Sequence, residues 1–319
     1  MTGNEWLYAR VHHTTHADGE QLLTSFVPQW ARAAREAGVR QWFFIRYADL
    51  SGPHLRVRFR GTPDALDDCY TRGLRLWRET SHQPPATGAI ARLHPLAEQA
   101  LPGRGHRRLS FGLYGREHHY YGGPAAMEIA EELFQLSSEL SLDAVARTGP
   151  DREQRTHIAV ELMRACLGAA LDPVRRDRFW QLHWQHWSGR PRDAQLIQQA
   201  EETAARLHRR PARHTGHLPD DPDPAVAARL LGCQLADGVQ RARCADPAVG
   251  RVRLLLMQLH MTLNRLGFLP LEEAVLGRIA ARPTPPAPGR APTDSARTVR
   301  AVPAPHGSGI PPHKENRHE

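Results

Sequence analysis

The chain has 319 residues, 40% of them hydrophobic and 24% charged, which is enough apolar material for a packed core and excludes global disorder. Mean hydropathy is −0.54, and no run of about 18 apolar residues occurs, which excludes a membrane-spanning helix. The four cysteines, Cys69, Cys166, Cys233 and Cys244, form no CxxC pair, which argues against a disulfide framework or a structural zinc knuckle.

Residues 5–12 (EWLYARVH) read as a strand, with Leu7, Ala9 and Val11 on one face and Arg10 and His12 on the other. Residues 19–37 read as a helix that stops at Gly38, with Pro28 as a possible kink. The aromatic and β-branched run Trp42–Tyr47 (WFFIRY) is a buried strand, and ADLSGP after it is a turn. In HLRVRFRG (54–61), Leu55, Val57 and Phe59 alternate with His54, Arg56, Arg58 and Arg60, so the two strands are expected to pair as a hairpin. TPDALDD opens a helix over 63–79. The stretch 81–108 is expected to be irregular, RRLSFGLYGRE returns to strand character, and YYGGP (120–124) is a tight turn. Residues 125–147 have helical spacing, and further helices are expected at 152–171, 174–187, 193–209, 223–243 and 248–268, with a loop at 211–224.

The expected class is α+β. It has a mixed, mostly antiparallel sheet with helices in the N-terminal half, a largely helical C-terminal half, and one domain over 1–281. Nine prolines lie between Pro283 and Pro312, so 282–319 is expected to be a disordered Pro/Arg-rich tail. No GxGxxG follows a strand and no GxxxxGK[ST] occurs, so nucleotide chemistry has no local support.

The net charge is +8, and Lys314 is the only lysine among 42 cations. The charge attracts acidic peptides, but no helix carries a continuous basic stripe with interleaved aromatics, so direct tRNA binding is not expected. The N-terminus lacks an apolar signal core, which points to a reducing cytoplasm and no membrane partner.

Two features carry chemistry. Arg56 and Arg58 share one face of their strand, with His54 and Arg60 beside them. A solvated sheet face would look the same, yet guanidiniums so concentrated repel one another unless an anion joins them, and Arg forks suit carboxylates. In LLLMQLHMTLNRLG, His260 sits in an otherwise apolar helix, with Asn264 and Arg265 suggesting a polar pocket. The close histidine pairs, including His118/His119 and His183/His186, lack an HExxH and are weighed against chance in a chain with 19 histidines; no metal or organic cofactor is expected.

The segments WFFIRYADLSGPHLRVRF, YGREHHYYGG (Tyr114–Gly123), AMEIAEELFQLSS and HMTLNRLG appear in an order that resembles the thiopeptide-type bacteriocin biosynthesis domain. The chain is also similar to the C-terminal elimination domain of lantibiotic dehydratases, over about residues 5–270. The resemblance implies an enzyme acting on a ribosomal precursor peptide, beside a partner dehydratase subunit that glutamylates Ser or Thr. The elimination domain then removes glutamate to leave dehydroalanine or dehydrobutyrine. Related pyridine synthases use the same fold to join two dehydroalanines by a formal [4+2] reaction with release of the leader. A non-catalytic leader-binding subunit is the third reading, and a homodimer is plausible by resemblance alone.

By resemblance, the elimination arginines fall on Arg56 and Arg58 and the late catalytic histidine on His260. Tyr120 stands where the family's ERYGG-type segment has an arginine, and Ser137 where an acid precedes the serine. Arg116 is a substitute candidate for the missing guanidinium. Elimination is the first expectation, and under cycloaddition Glu117, Tyr120 and Tyr121 would be the substrate-facing residues.

Overall fold

Alternation along four strands builds one antiparallel sheet in a computed structural model that describes residues 5–93, 105–188, 194–209 and 223–283. The strands are β1 (Glu5–His12), β2 (Gln41–Asp49), β3 (Gly52–Gly61) and β4 (Arg108–Gly112), in the order β2-β3-β1-β4. The β2–β3 hairpin closes on the Asp49–Gly52 pair, where φ of 93° at Gly52 calls for glycine. Ala9, Val11, Trp42, Phe44, Leu55, Val57 and Phe59 form one sheet face and bury against α1 (His16–Glu36) and α2 (Pro63–Ser81). A Cβ on Gly73 would come within 2.4 Å of the Trp30 ring, so glycine is what lets α2 close on α1. The expected hairpin and first two helices are present, and α1 runs through Pro28.

The helices that follow are α3 (His118–Tyr121), α4 (Pro124–Thr148), α5 (Arg152–Ala170), α6 (Pro173–Trp187), α7 (Ala194–Arg209), α8 (Pro224–Ala245), α9 (Arg251–Arg265) and α10 (Pro270–Ala280). Their leucines and alanines form a second core. α5 and α8 cross closely because Gly232 has no side chain: a Cβ there would lie 2.5 Å from the Leu162 carbonyl. The α+β arrangement is as the sequence implies. The expected helix over 248–268 is shorter, ending at Arg265; Gly267, with φ of 89°, turns the chain, and Pro270 at the first turn opens α10, which the apolar run conceals. The expected tight turn at 120–124 begins inside the short α3, which ends at Tyr121. The expected tail from 284 onward and most of the 211–224 loop lie outside the described residues.

The outer edge of β2 meets no strand among the described residues, and side chains complete its ladder. Trp42 N–H donates to Gln135 Oε1 (3.2 Å) and Phe44 N–H to Ser138 Oγ (3.1 Å), both on α4. From α9, Asn264 accepts from Arg46 N–H (2.9 Å) and donates to its carbonyl (3.0 Å), while Arg265 Nε donates to the Phe44 carbonyl (2.7 Å). Each such bond contributes about 1 kcal/mol and blunts an aggregation-prone edge. Asn264 and the buried Arg265, expected in a substrate pocket, are engaged in holding α9 against the sheet. No helix among the described residues is long and apolar enough to cross a membrane.

Candidate functional site

The second face of the sheet carries the polar alternates: Tyr8, Arg10 and His12 of β1 stand opposite Arg58, Arg56 and His54 of β3. Arg58 is enclosed by the rings of Tyr114 (4.5 Å), Tyr8 (5.1 Å) and Phe43 (5.3 Å). Its Nε is buried without a hydrogen-bond partner, and it makes no ion pair among the described residues. Burial pulls its pKa down from the ordinary guanidinium value. A cation held by aromatic faces and lacking a counter-ion is poised for an incoming anion.

Arg56 lies over Tyr47 at 3.3 Å, with Asp49 3.9 Å from one Nη. Its Nε donates to His54 Nε2 (3.4 Å), and His54 Nδ1 lies 3.0 Å from the Gly52 carbonyl. His54 is thereby a neutral tautomer with its proton on Nδ1, and burial lowers its pKa in the same direction. His54, expected beside the substrate, is buried and bonded to the Arg56 guanidinium.

The segment before α4 supplies the opposing wall. Arg116 is bound by Glu131 (2.8 and 2.5 Å) and Glu128 (2.7 Å), and Glu128 also pairs with Arg60. Against the effect of burial, those carboxylates raise the Arg116 pKa, and Arg116, the expected substitute for the family arginine, is ion-paired to both. Tyr120 is exposed, with the His119 ring at 4.0 Å and the Arg253 guanidinium of α9 over its ring at 5.4 Å; Arg253 makes no ion pair among the described residues. Glu117 is exposed at the start of α3, and its charge is felt at Arg58 and Tyr121. Tyr121 is buried against Phe134, and burial raises its pKa.

His260 is 19% exposed, and its Nδ1 lies 2.9 and 3.1 Å from the two oxygens of Glu273 on α10. Trp187, the last residue of α6, stacks on the imidazole at 4.2 Å and 18°. Glu273 is fully buried, and burial raises its pKa despite the attraction of His260. His260 Nε2 makes no hydrogen bond within the described residues.

An aromatic cluster lies beside Arg58. Phe43, Tyr121 and Phe134 form its centre, and Tyr114 of the Arg58 enclosure and Met257 and Met261 of α9 pack on it. His260, three residues after Met257, lies on the flank of that helix face together with Arg253, two turns away. Arg58 borders this cluster through Phe43 and Tyr114, and His260 lies on the helix that supplies Met257 and Met261. The remaining histidines differ: His13 and His183 are buried, and among the described residues no set of His, Cys, Asp and Glu is arranged to hold a metal.

Glu273, Trp187 and Arg253 are not picked out by the sequence. Glu272-Glu273 after Pro270 reads as acids of a helix first turn, and the contacts of Trp187 and Arg253 are tertiary.

The β3 guanidiniums thus share one sheet face, and the HMTLNRLG helix packs against the β2 edge. The profile of the family described as lantibiotic biosynthesis dehydratase C-term matches residues 6–283, and the chain belongs to that family. Among solved structures, it is similar to the tRNA-dependent lantibiotic dehydratase MibB from Microbispora sp. 107891, with TM-score 0.54 and 24% identity over 86% of this chain and 27% of that one. It is likewise similar to TbtD, the pyridine synthase from thiomuracin biosynthesis (TM-score 0.59, 19% identity, 86% of this chain and 96% of that one). TsrL is a third such structure (0.56, 18%, 88% and 94%). At these identities the likeness is one of fold, and the chain spans about a quarter of MibB. No curated protein matches the sequence.

Proposed function

We propose that the chain eliminates glutamate from glutamylated Ser or Thr of a precursor peptide, leaving dehydroalanine or dehydrobutyrine. The observation that carries this reading is Arg58, enclosed by rings without a carboxylate of its own, beside Arg56 on the same sheet face. Glutamate offers two carboxylates, one leaving from the peptide oxygen and one at its other end, and two guanidiniums suit them. His260 Nε2 takes the Cα proton, the Cα–Cβ double bond forms, the Cβ–O bond breaks, and glutamate departs as the carboxylate. The imidazolium then returns its proton to solvent. A well-placed acid–base group of this kind contributes about 10²–10⁴-fold.

The precursor and a glutamylating partner subunit are part of this proposal, as is recognition of an acidic leader by the basic sheet face. Tyr120, in the place of a family arginine, favours a second reading: a pyridine-forming cyclase in which Glu117, Tyr120 and Tyr121 face a dehydrated peptide.

Two incubations followed by mass spectrometry separate the readings. An eliminase releases free glutamate from a glutamylated peptide, and His260→Ala or Arg58→Ala leaves the adduct intact. A cyclase ignores that peptide and converts a fully dehydrated one with release of its leader. Unchanged products with both variants would end the enzymatic assignment of Arg58 and His260.

A further inference from the structure

Two adjacent acids open α10, and they have different surroundings. Glu272 accepts from Leu93 N–H and Leu269 N–H (2.9 Å each) and pairs with Arg152 (3.1 Å) and Arg92 (3.5 Å), so it is satisfied as a structural carboxylate. Glu273 is equally buried, yet among the described residues the only hydrogen-bond partner of its carboxylate is His260. A buried carboxylate that served packing alone would need donors of the kind Glu272 has. A carboxylate resting on one partly exposed imidazole instead resembles the arrangement that fixes a catalytic histidine.

We infer that Glu273 is the positioning residue of His260: its carboxylate accepts the Nδ1 proton, fixes the ring tautomer and leaves Nε2 as the proton acceptor. The inference rests on His260 acting as the acid–base group of the proposed elimination. Trp187 holds the ring from the other side, stacked at 4.2 Å, so carboxylate and indole together set both the plane and the rotation of the imidazole. The titratable groups that face His260 are Glu273 of α10 and His183 and His186 of α6. Burial lowers the pKa of both α6 histidines, His183 to about 3, so they are neutral near pH 7. Among the described residues Glu273 is then the acidic group that faces His260, placed to compensate charge that develops on the ring when the Cα proton is taken.

The test is Glu273→Gln in the full chain, read by ¹⁵N NMR of labelled histidines, with His260→Asn used to assign the His260 signals. In the wild type His260 should carry its proton on Nδ1. In the variant the preference for Nδ1–H should be lost, a change of about tenfold in the tautomer ratio. With glutamylated peptide as substrate, kcat should fall about 10–100-fold with KM within about twofold, and the acidic limb of the kcat/KM profile should move to lower pH. Glu273→Asp should restore part of kcat.

An Nε2–H tautomer in the wild type would overturn the inference without any variant. So would an unchanged His260 tautomer ratio in Glu273→Gln, or a rise in KM with kcat unaltered. Should the NMR shifts occur while no glutamate is released by any form, Glu273 keeps its role and the elimination reading falls.

Discussion

Arg10 of β1 and Arg56 of β3 stand directly opposite each other in the antiparallel ladder. Like charges in that register repel by about 0.2–1 kcal/mol. Among the described residues the Arg10 guanidinium is bonded only to the Tyr8 hydroxyl at 3.1 Å, and Asp49 stands 3.9 Å from Arg56, so neither is closely neutralised. The opposition is an arrangement that an anion relieves.

Arg10→Ala should therefore stabilise the ligand-free protein, raising Tm by about 1–3 °C, and the gain should shrink with added salt. Free glutamate or a short acidic peptide should raise Tm in the wild type and do so less in Arg10→Ala. Thermal unfolding at two ionic strengths measures both; equal ligand shifts in the two proteins would remove Arg10 from the anion site.

Arg58→Met separates stability from function. An enclosed cation without a counter-ion gains little from its charge, and an apolar side chain of similar length suits the rings of Tyr8, Phe43 and Tyr114. Expected are a Tm equal to or above that of the wild type and a loss of glutamate release of about 100-fold or more. A variant that unfolds would mark Arg58 as structural.

Arg253 over Tyr120 is expected to supply the guanidinium that Arg116, tied to Glu128 and Glu131, does not. Arg253→Ala should lower kcat/KM about tenfold, the weight of one charged hydrogen bond. Tyr120→Arg in the same chain should recover most of the loss, because it restores a cation at that place. No recovery in the double variant would make Tyr120 a repurposed residue and favour the cyclase reading.

Acid should destabilise the protein through buried histidines. Burial lowers His12 and His13 to about 4 and His16 and His183 to about 3, from 6.5. Between pH 6.5 and these values the unfolded chain binds more protons, so stability is complete above 6.5 and is lost as pH falls. Each such group contributes a slope of about 1.4 kcal/mol per pH unit within its window. His183 has both ring nitrogens buried without partners, so His183→Leu should raise stability and flatten the slope of unfolding free energy between pH 6 and 4 by about one proton. An unchanged slope would show that His183 is protonated in the folded protein.

Much of this molecule is legible along the chain. Period-2 alternation at 54–61 puts Leu55, Val57 and Phe59 on the buried face and the arginines on the other, because a pleated strand allows nothing else. His260 stands out as a polar residue in an apolar helix. What is hidden is contact. Arg116 and Arg58 look alike as sequence, yet one is neutralised by two glutamates and the other is left to aromatic rings. Asn264 and Arg265 beside His260 suggest a pocket, but they close the β2 edge, a need that exists only once the sheet has formed. The α9–α10 break is masked by leucines on both sides of Gly267, with Pro270 as the local sign.

The central claim is that the β3 guanidiniums and the α9 imidazole serve one reaction on one substrate. A double-mutant cycle on glutamate release from a glutamylated peptide, with Arg58→Met, His260→Ala and both together, tests it most directly. If the two groups act in the same step, each single variant removes most of the rate and the double variant is little worse than either. Independent, multiplying losses, or glutamate release that survives both changes, would contradict a shared site.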